Sequence, residues 1–96
     1  MMYRFMTLDD STEVVHSDTY MENGVETVEV YFEKPVYGGF QSAECYLPSY
    51  EWKNINGFSS DKIAELQAYL ESVAQVVIRL AGEGKAATGE RKDKRC

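Results

Sequence analysis

The sequence is poor in the residues that build metal sites and disulfides. It has 96 residues, with one histidine and two cysteines. A zinc site needs three or four Cys, His or carboxylate ligands in fixed geometry, so we expect no metal and no cofactor. Two cysteines, one of them Cys96 at the carboxyl end, do not make a disulfide framework. We therefore expect a cytoplasmic protein in which Cys45 is a small buried apolar residue.

Long apolar runs are also lacking. The amino terminus, MMYRFMTLDD, contains no apolar run of roughly 7 to 15 residues after a basic start, as a secretory signal would. The one long helical pattern carries Glu65, Glu71, Gln75 and Arg79, whereas a membrane span needs about 20 mainly apolar residues. We therefore expect neither a secretory signal nor a membrane span.

Positive charge is scarce over most of the chain. Residues 1–82 hold five Lys or Arg against thirteen Asp or Glu, while residues 83–96 hold five against three. The two parts carry −8 and +2, which gives the net charge of −6. An acidic body repels phosphate backbones, so we expect no direct nucleic-acid binding through the folded part. Residues 85–96 lack apolar periodicity and are predicted to form a mobile charged tail.

A long amphipathic helix is predicted over residues 60–81. Ser59 is suited to cap its start, with Phe58 and Ile63 as a hydrophobic staple, and Gly82 and Gly84 are expected to end it. Its apolar side chains recur at spacings of three and four, which places them on one face. They are Ile63, Leu66, Leu70, Val73, Val77 and Leu80.

The residues before the helix predict an antiparallel sheet. Asn23-Gly24 favours a tight hairpin turn, and Gly38-Gly39 marks a second reversal. The predicted strands are residues 2–8, 13–21, 26–33 and 40–47. Short connections between sequential strands indicate a meander, so we predict a two-layer α+β domain over residues 1–84, with a four-stranded antiparallel meander against one long C-terminal helix (ββββα).

The predicted core lies between one face of this sheet and the helix. Alternation along the third and fourth strands places six residues on that face: Val28, Val30, Phe32, Ala43, Cys45 and Leu47. The connector at residues 48–57 carries Tyr50, Trp52 and Ile55, too many large apolar groups for a purely solvated loop. We expect it to cover the edge of the core, with a short extended piece around Tyr50 to Lys53.

The opposite face of the sheet is predicted to be acidic and tyrosine-bearing. Like charges on neighbouring strands are mildly destabilising, so such a face is either an ordinary solvated surface or is retained for a partner. Our leading hypothesis is a non-enzymatic protein-interaction module that binds a basic protein surface, in one variant as an accessory or anti-defence protein. Its candidate partner-binding residues are Glu29, Tyr31, Glu33, Glu44 and Tyr46.

A small enzyme or ligand-binding domain is the alternative hypothesis. Its site would use His16, the one histidine, with Glu13, Asp18 or Cys45 nearby. No nucleophile, glycine-rich loop or second ligand stands at a diagnostic spacing around His16. A non-enzymatic protein is therefore the favoured interpretation.

The apolar stripe of the helix is wider than one sheet requires. It spans roughly 200°, compared with the ~100° typical of a helix that packs on one layer. Tyr69 and Val76 lie at one margin and Ile78 at the other. These margins predict either cover by the connector or a homodimer through the helix.

Four segments together resemble a group of bacterial proteins. They are EVVHSD, VEVYFEKP, GFQSAECYLPSYEW and NGFS, followed by the long helix. The chain is similar over residues 3–84 to short uncharacterised proteins of gut-type Firmicutes and their mobile elements. The shared features are turns, a strand and a helix cap, so the resemblance implies a small intracellular bacterial or phage-associated protein and carries no functional residue.

Overall fold

The fold combines an antiparallel sheet with one long helix. The computed structural model describes residues 2–89, with the side chains of residues 2–82. The elements in this part of the chain are β1 (Met2–Thr7), β2 (Glu13–Ser17), β3 (Tyr20–Glu22), β4 (Val25–Val36), β5 (Gly39–Leu47), β6 (Glu51–Asn56) and α1 (Ser60–Gly89). The prediction of an antiparallel α+β fold with a C-terminal helix is confirmed.

The sheet has the order β1-β2-β4-β5-β6, and β3 pairs with the far end of β4. The prediction of four strands is wrong, because the second predicted strand is split into β2 and β3 and the connector contributes β6. The split has a local cause. The Ser17 hydroxyl, rather than a backbone carbonyl, accepts the Glu29 N–H at 3.0 Å, so the ladder is interrupted there.

Strand β6 forms because Trp52 packs into the core. It pairs with Cys45 of β5, which is fully buried, and its ring stacks on Phe32 with centroids 5.6 Å apart. The Trp52 indole N–H also donates to Gln67 Oε1 of α1 at 3.0 Å. The connector therefore covers the edge of the core as a strand that extends three residues beyond the predicted extended piece.

The turn between β3 and β4 has the conformation that its sequence predicts. Asn23 and Gly24 have φ angles of 52° and 79°. Positive φ at both central residues is the requirement of a type I′ turn, whose twist matches that of the paired strands. The predicted hairpin is confirmed.

The core lies between α1 and the face of the sheet that was predicted from alternation. All six predicted sheet residues are buried there, and Val14 of β2 adds a seventh. The helix contributes Leu66, Leu70, Ala74, Val77 and Ala81, with Ile63 and Val73 partly buried. Full burial of one large aliphatic side chain contributes about 1.5 to 3 kcal/mol, so this contact dominates the stabilisation of the fold.

The helix begins as predicted and ends later. The Ser59 hydroxyl accepts the Lys62 N–H at 3.1 Å, which confirms the N-cap. The helix continues past Gly82 and Gly84 to Gly89, so the predicted end is wrong. A glycine costs a helix only about 1 kcal/mol relative to Ala, and the intervening residues 85–87 favour helix. Of the predicted tail, residues 90–96 lie outside the described residues.

Candidate functional site

The five predicted partner-binding residues lie together on the face of the sheet that is turned away from α1. We call this surface the outer face. In the register of β4 and β5, Glu29 pairs with Tyr46 and Tyr31 pairs with Glu44, while Glu33 lies opposite Ser42. All five side chains are partly exposed. The outer face is thus a continuous strip in which carboxylates and phenols alternate.

The strand register determines where like charges face each other. Between β4 and β5 each glutamate faces a tyrosine or a serine, so the expected like-charge pairs do not occur directly across these strands. Glu33 instead faces Glu13 across β4 and β2. Arg4 of β1 lies beside that pair, with its Nη2 3.9 Å from Glu13 Oε2. This exposed ion pair offsets part of the local repulsion.

Glu44 is held in place by two neighbours. The Tyr46 hydroxyl donates to Glu44 Oε1 at 2.8 Å, and the Asn54 amide donates to the same oxygen at 3.0 Å. Asn54 reaches it from β6 because its backbone is left-handed, with φ of 54°. The carboxylate at the centre of the outer face is therefore oriented before any partner binds.

The electrostatics of the outer face favour an added cation. Partial burial, and then the nearby Glu44 carboxylate, raise the pKa of Glu29. Burial and the hydrogen bond to Glu44 raise the pKa of the Tyr46 phenol well above its usual range. In both cases the neighbouring negative charge disfavours the ionised form. A positive group placed between Glu29 and Glu44 would relieve this cost.

Two residues of the outer face were not predicted. Tyr20 of β3 belongs to it, because it pairs with Thr27, which lies on the same side of β4 as Glu29. Burial and the charges of Glu22, Glu29 and Glu44 raise its pKa. Lys53 of β6 lies opposite Glu44, with its Nζ 5.1 Å from the centroid of the Tyr46 ring. The left-handed Asn54 and an irregular register break the alternation that would have marked residues 51–56 as a strand.

A shallow cavity of about 300 Å³ opens at one end of the outer face. It lies between the turn that joins β3 to β4 and the turn that joins β5 to β6. Its lining includes Glu22, Thr27, Tyr46, Glu51 and Lys53. The cavity therefore combines carboxylates with one lysine and one phenol, and it extends the charged character of the outer face.

The other end of the outer face is apolar. Phe40 pairs with Pro35 at the end of the β4–β5 ladder and is 62% exposed. Tyr37, in the turn, is fully exposed. Because alternate residues share a face, Phe40 lies on the same side as Ser42 and Glu44. The acidic strip thus ends in exposed aromatic groups, a contact surface that alternation alone did not single out.

Two residues of the alternative site, Glu13 and Cys45, are not brought to His16. His16 is 3% exposed on the core side, where its Nδ1 lies 2.9 Å from the Ser17 carbonyl oxygen. Glu13, three residues earlier, points to the outer face. Cys45 is separated from His16 by Val30 in the ladders, and burial raises the pKa of its thiol to about 12. A thiol with that pKa is a poor nucleophile at neutral pH.

The fourth residue of the alternative site contacts a different neighbour. Asp18 raises the pKa of the Tyr3 phenol, chiefly through hydrogen bonding, and the Tyr3 ring lies 5.6 Å from the His16 ring. Asp18 Oδ1 is buried and has no hydrogen-bond partner among the described residues. This cluster lies at the edge of the sheet, beside β1.

The predicted margins of the helix have different surroundings. Tyr69 is partly buried, and its hydroxyl donates to the Met6 sulfur at 3.2 Å. Strand β1 thus covers this position. Val76 and Ile78 are 40% and 37% exposed. Isolated exposed apolar residues of this kind are common on monomeric proteins.

Other features and similarities add little to this surface. Among the described side chains, those of residues 2–82, no group of three or more His, Cys, Asp or Glu is placed to hold a metal ion. In the same part of the chain, α1 is not apolar enough to cross a membrane. No protein-family model, curated protein or solved structure matches the chain.

Proposed function

We propose that this protein is a small, non-enzymatic, cytoplasmic interaction module whose outer face binds a basic surface of a partner protein. The observation that carries the proposal is the alternation of carboxylates and phenols on a sheet face that the core does not use. Solvent exposure alone requires polar residues there, but it does not require Glu29 and Glu44 to lie close enough to disfavour ionisation.

The composition of the outer face suits a protein partner. Tyr20, Tyr31 and Tyr46 offer rigid contact area that loses little conformational entropy on binding, and their hydroxyls can form hydrogen bonds. Carboxylates attract a positively charged partner and accelerate association, an effect that weakens as salt is added. The exposed Tyr37 and Phe40 supply apolar anchors at the end of the same strip.

An accessory or anti-defence protein is the more specific form of this proposal. A surface with fixed carboxylates can compete with nucleic acid for the basic site of another protein, since both present regularly spaced negative charge. The charge of −8 over residues 1–82 supports this idea. So does the resemblance to proteins of bacterial mobile elements. Direct binding of nucleic acid by this acidic body is not part of the proposal.

Defined basic peptides test the proposal. Titration calorimetry with an arginine-rich and a lysine-rich peptide of equal length, at low and high salt, should detect binding that weakens as salt is added. The double variant Glu29→Gln/Glu44→Gln should lower affinity for both peptides about tenfold, in line with the loss of close charge pairs. The matched variant Glu65→Gln/Glu71→Gln removes two carboxylates from the exposed side of α1 and should retain binding. Equal losses in the two variants would indicate a net-charge effect and contradict a specific outer face.

The homodimer is a separate hypothesis that concerns Val76 and Ile78. It predicts a particle of twice the 10.9 kDa chain mass in light scattering. It also predicts that Val76→Ser/Ile78→Ser shifts the mass to that of the monomer. A monomer at high concentration would rule it out.

A further inference from the structure

Lys53 of β6 lies against the aromatic and acidic residues of the outer face. Its Nζ lies 5.1 Å from the centroid of the Tyr46 ring, within the range of a cation–π contact. The β5–β6 register places it opposite Glu44. The protein thus already holds one positive group of its own against the phenol and the carboxylate.

This internal cation leaves carboxylate oxygens available. Among the described residues, Lys53 forms no ion pair within 4.0 Å. Both hydrogen bonds to the Glu44 carboxylate go to Oε1, from Tyr46 and Asn54, and none of the described bonds goes to Oε2. The Glu29 backbone N–H donates to the Ser17 hydroxyl, and none of the described hydrogen bonds goes to its carboxylate, whose pKa is raised by burial and then by the Glu44 charge. A group that stacked on Tyr46 and donated to both carboxylates would therefore gain more than Lys53 does.

We infer that Lys53 is an internal substitute for an arginine of the partner, which displaces it from Tyr46 on binding. This inference rests on the proposed function and names the chemistry of the partner. A guanidinium is planar, is weakly hydrated and donates through two parallel N–H groups, so it stacks on the phenol while its edge reaches Glu44 and Glu29. The occupant is an arginine-bearing segment of a basic protein.

A partner's lysine gains much less from the same site. Lys53 is tethered beside Tyr46, so it is present there at a high effective concentration, and an incoming ammonium would only replace an equivalent group. The outer face should therefore discriminate arginine from lysine, although both carry one positive charge. Lys53 competes with either group, so it should lower the affinity for both, while the preference for arginine comes from the guanidinium itself.

The test compares an arginine-rich peptide with a lysine-rich peptide of the same length and spacing, by calorimetry at low salt. The wild-type protein should bind the arginine peptide about fivefold more tightly, as one added cation–π and bidentate contact implies. Lys53→Met should tighten both peptides about threefold, because it removes the ammonium that competes with either of them, and it should keep the preference for arginine. Arg79→Met, which removes one positive charge from α1, should tighten both peptides equally and only slightly. Circular dichroism confirms that each variant is folded.

The results separate this inference from the proposed function. Salt-dependent binding that is equal for the two peptides, or a Lys53→Met variant that behaves like Arg79→Met, overturns the inference and leaves the acidic interaction face in place. No salt-dependent binding of either peptide overturns both. A preference for arginine, together with a tightening of both peptides in Lys53→Met that clearly exceeds the tightening in Arg79→Met, supports the inference.

Discussion

The Trp52 indole stacks on the Phe32 ring, with centroids 5.6 Å apart and planes 28° from parallel. Trp52 belongs to the edge strand β6 and Phe32 to the central strand β4, so the stack crosses beneath β5. The indole N–H reaches Gln67 of α1 at 3.0 Å. This one residue therefore fixes the edge strand to the sheet core and to the helix, and with it the position of Lys53 on the other face.

Replacement of Trp52 should show how strongly β6 depends on this contact. Trp52→Ala should lower the free energy of unfolding by about 3 kcal/mol, the lower end of the range for truncation of a large aromatic residue, because Trp52 is only partly buried. Trp52→Phe keeps a stacked ring, loses the bond to Gln67 and should cost about 1 kcal/mol. Urea unfolding followed by circular dichroism measures both. Equal stability of Trp52→Ala and the wild type would contradict the role of Trp52 in the core.

Alternation and turn chemistry predicted the central part of the sheet well. Val28, Val30 and Phe32 alternate with polar neighbours, and Asn23-Gly24 has few conformational alternatives, so local pattern determines both. Only the first part of β6 was predicted, as a short extended piece around Tyr50 to Lys53. Asn54 adopts a left-handed conformation and the pairing with β5 shifts there, so residues 51–56 show no regular period.

Asp10 should stabilise the fold through the two lysines that it joins. It lies in the turn after β1, accepts a hydrogen bond from Lys62 of α1, and has its Oδ2 3.5 Å from Lys34 Nζ of β4. Asp10→Asn should cost about 1 kcal/mol at pH 7, a value discounted for partial exposure. Asp9→Asn is the matched control, because Asp9 is exposed and the charge change is the same. Similar losses in the two variants would contradict a specific contact.

The effect of Asp10 should also depend on pH in a defined direction. The Lys62 ammonium beside Asp10 holds the pKa of that carboxyl well below its usual range. The stabilisation is therefore fully present above the unfolded pKa of about 3.9 and is lost as pH falls below it. Thermal unfolding between pH 7 and pH 2 should show the wild type converging on Asp10→Asn at the acidic end. A constant difference across that range would contradict the prediction.

The turn at Gly24 allows a backbone effect to be measured without a packing effect. A Cβ at Gly24 would meet nothing within 4 Å, yet the φ angle there is +79°. Gly24→Ala should therefore cost about 1 kcal/mol through the left-handed conformation alone. At Gly57, φ is +94° and a Cβ would lie 2.8 Å from Gln41 Cγ, so Gly57→Ala adds a steric cost. Unfolding free energies should rank Gly57→Ala below Gly24→Ala, and equal values would show that the Gln41 side chain relaxes freely.

The outer face was predicted in part for a clear physical reason. Glu29, Tyr31 and Glu44 follow from the period of β4 and β5, since every second residue must share a face. Their direct opposites did not follow, because a two-residue shift in the register of β4 and β5 decides whether Glu29 meets Tyr46 or Glu44. Tyr20 and Lys53 come from strands that are short or irregular, and only the assembled sheet brings them to Tyr46.

Glu29 should affect stability and binding in opposite directions. The pKa of Glu29 is raised, so the folded state favours its neutral carboxyl. This preference contributes to stability below the unfolded pKa of about 4.3, and the contribution is lost as pH rises through the pKa in the folded state. At pH 7 the ionised group is therefore a local cost. Glu29→Gln should raise the free energy of unfolding by about 0.5 kcal/mol at pH 7 and by nothing at pH 3, as measured by urea titration.

The same variant should weaken binding of the arginine-rich peptide, because it removes a carboxylate from the outer face. A substitution that stabilises a fold while reducing its binding marks a residue that is retained for function. Glu26→Gln is the control: Glu26 is exposed opposite Met21, and its replacement should change neither quantity appreciably. If Glu29→Gln left peptide affinity unchanged, Glu29 would have no role in recognition. If Glu29→Gln destabilised the fold, the ionised carboxylate would not be a local cost.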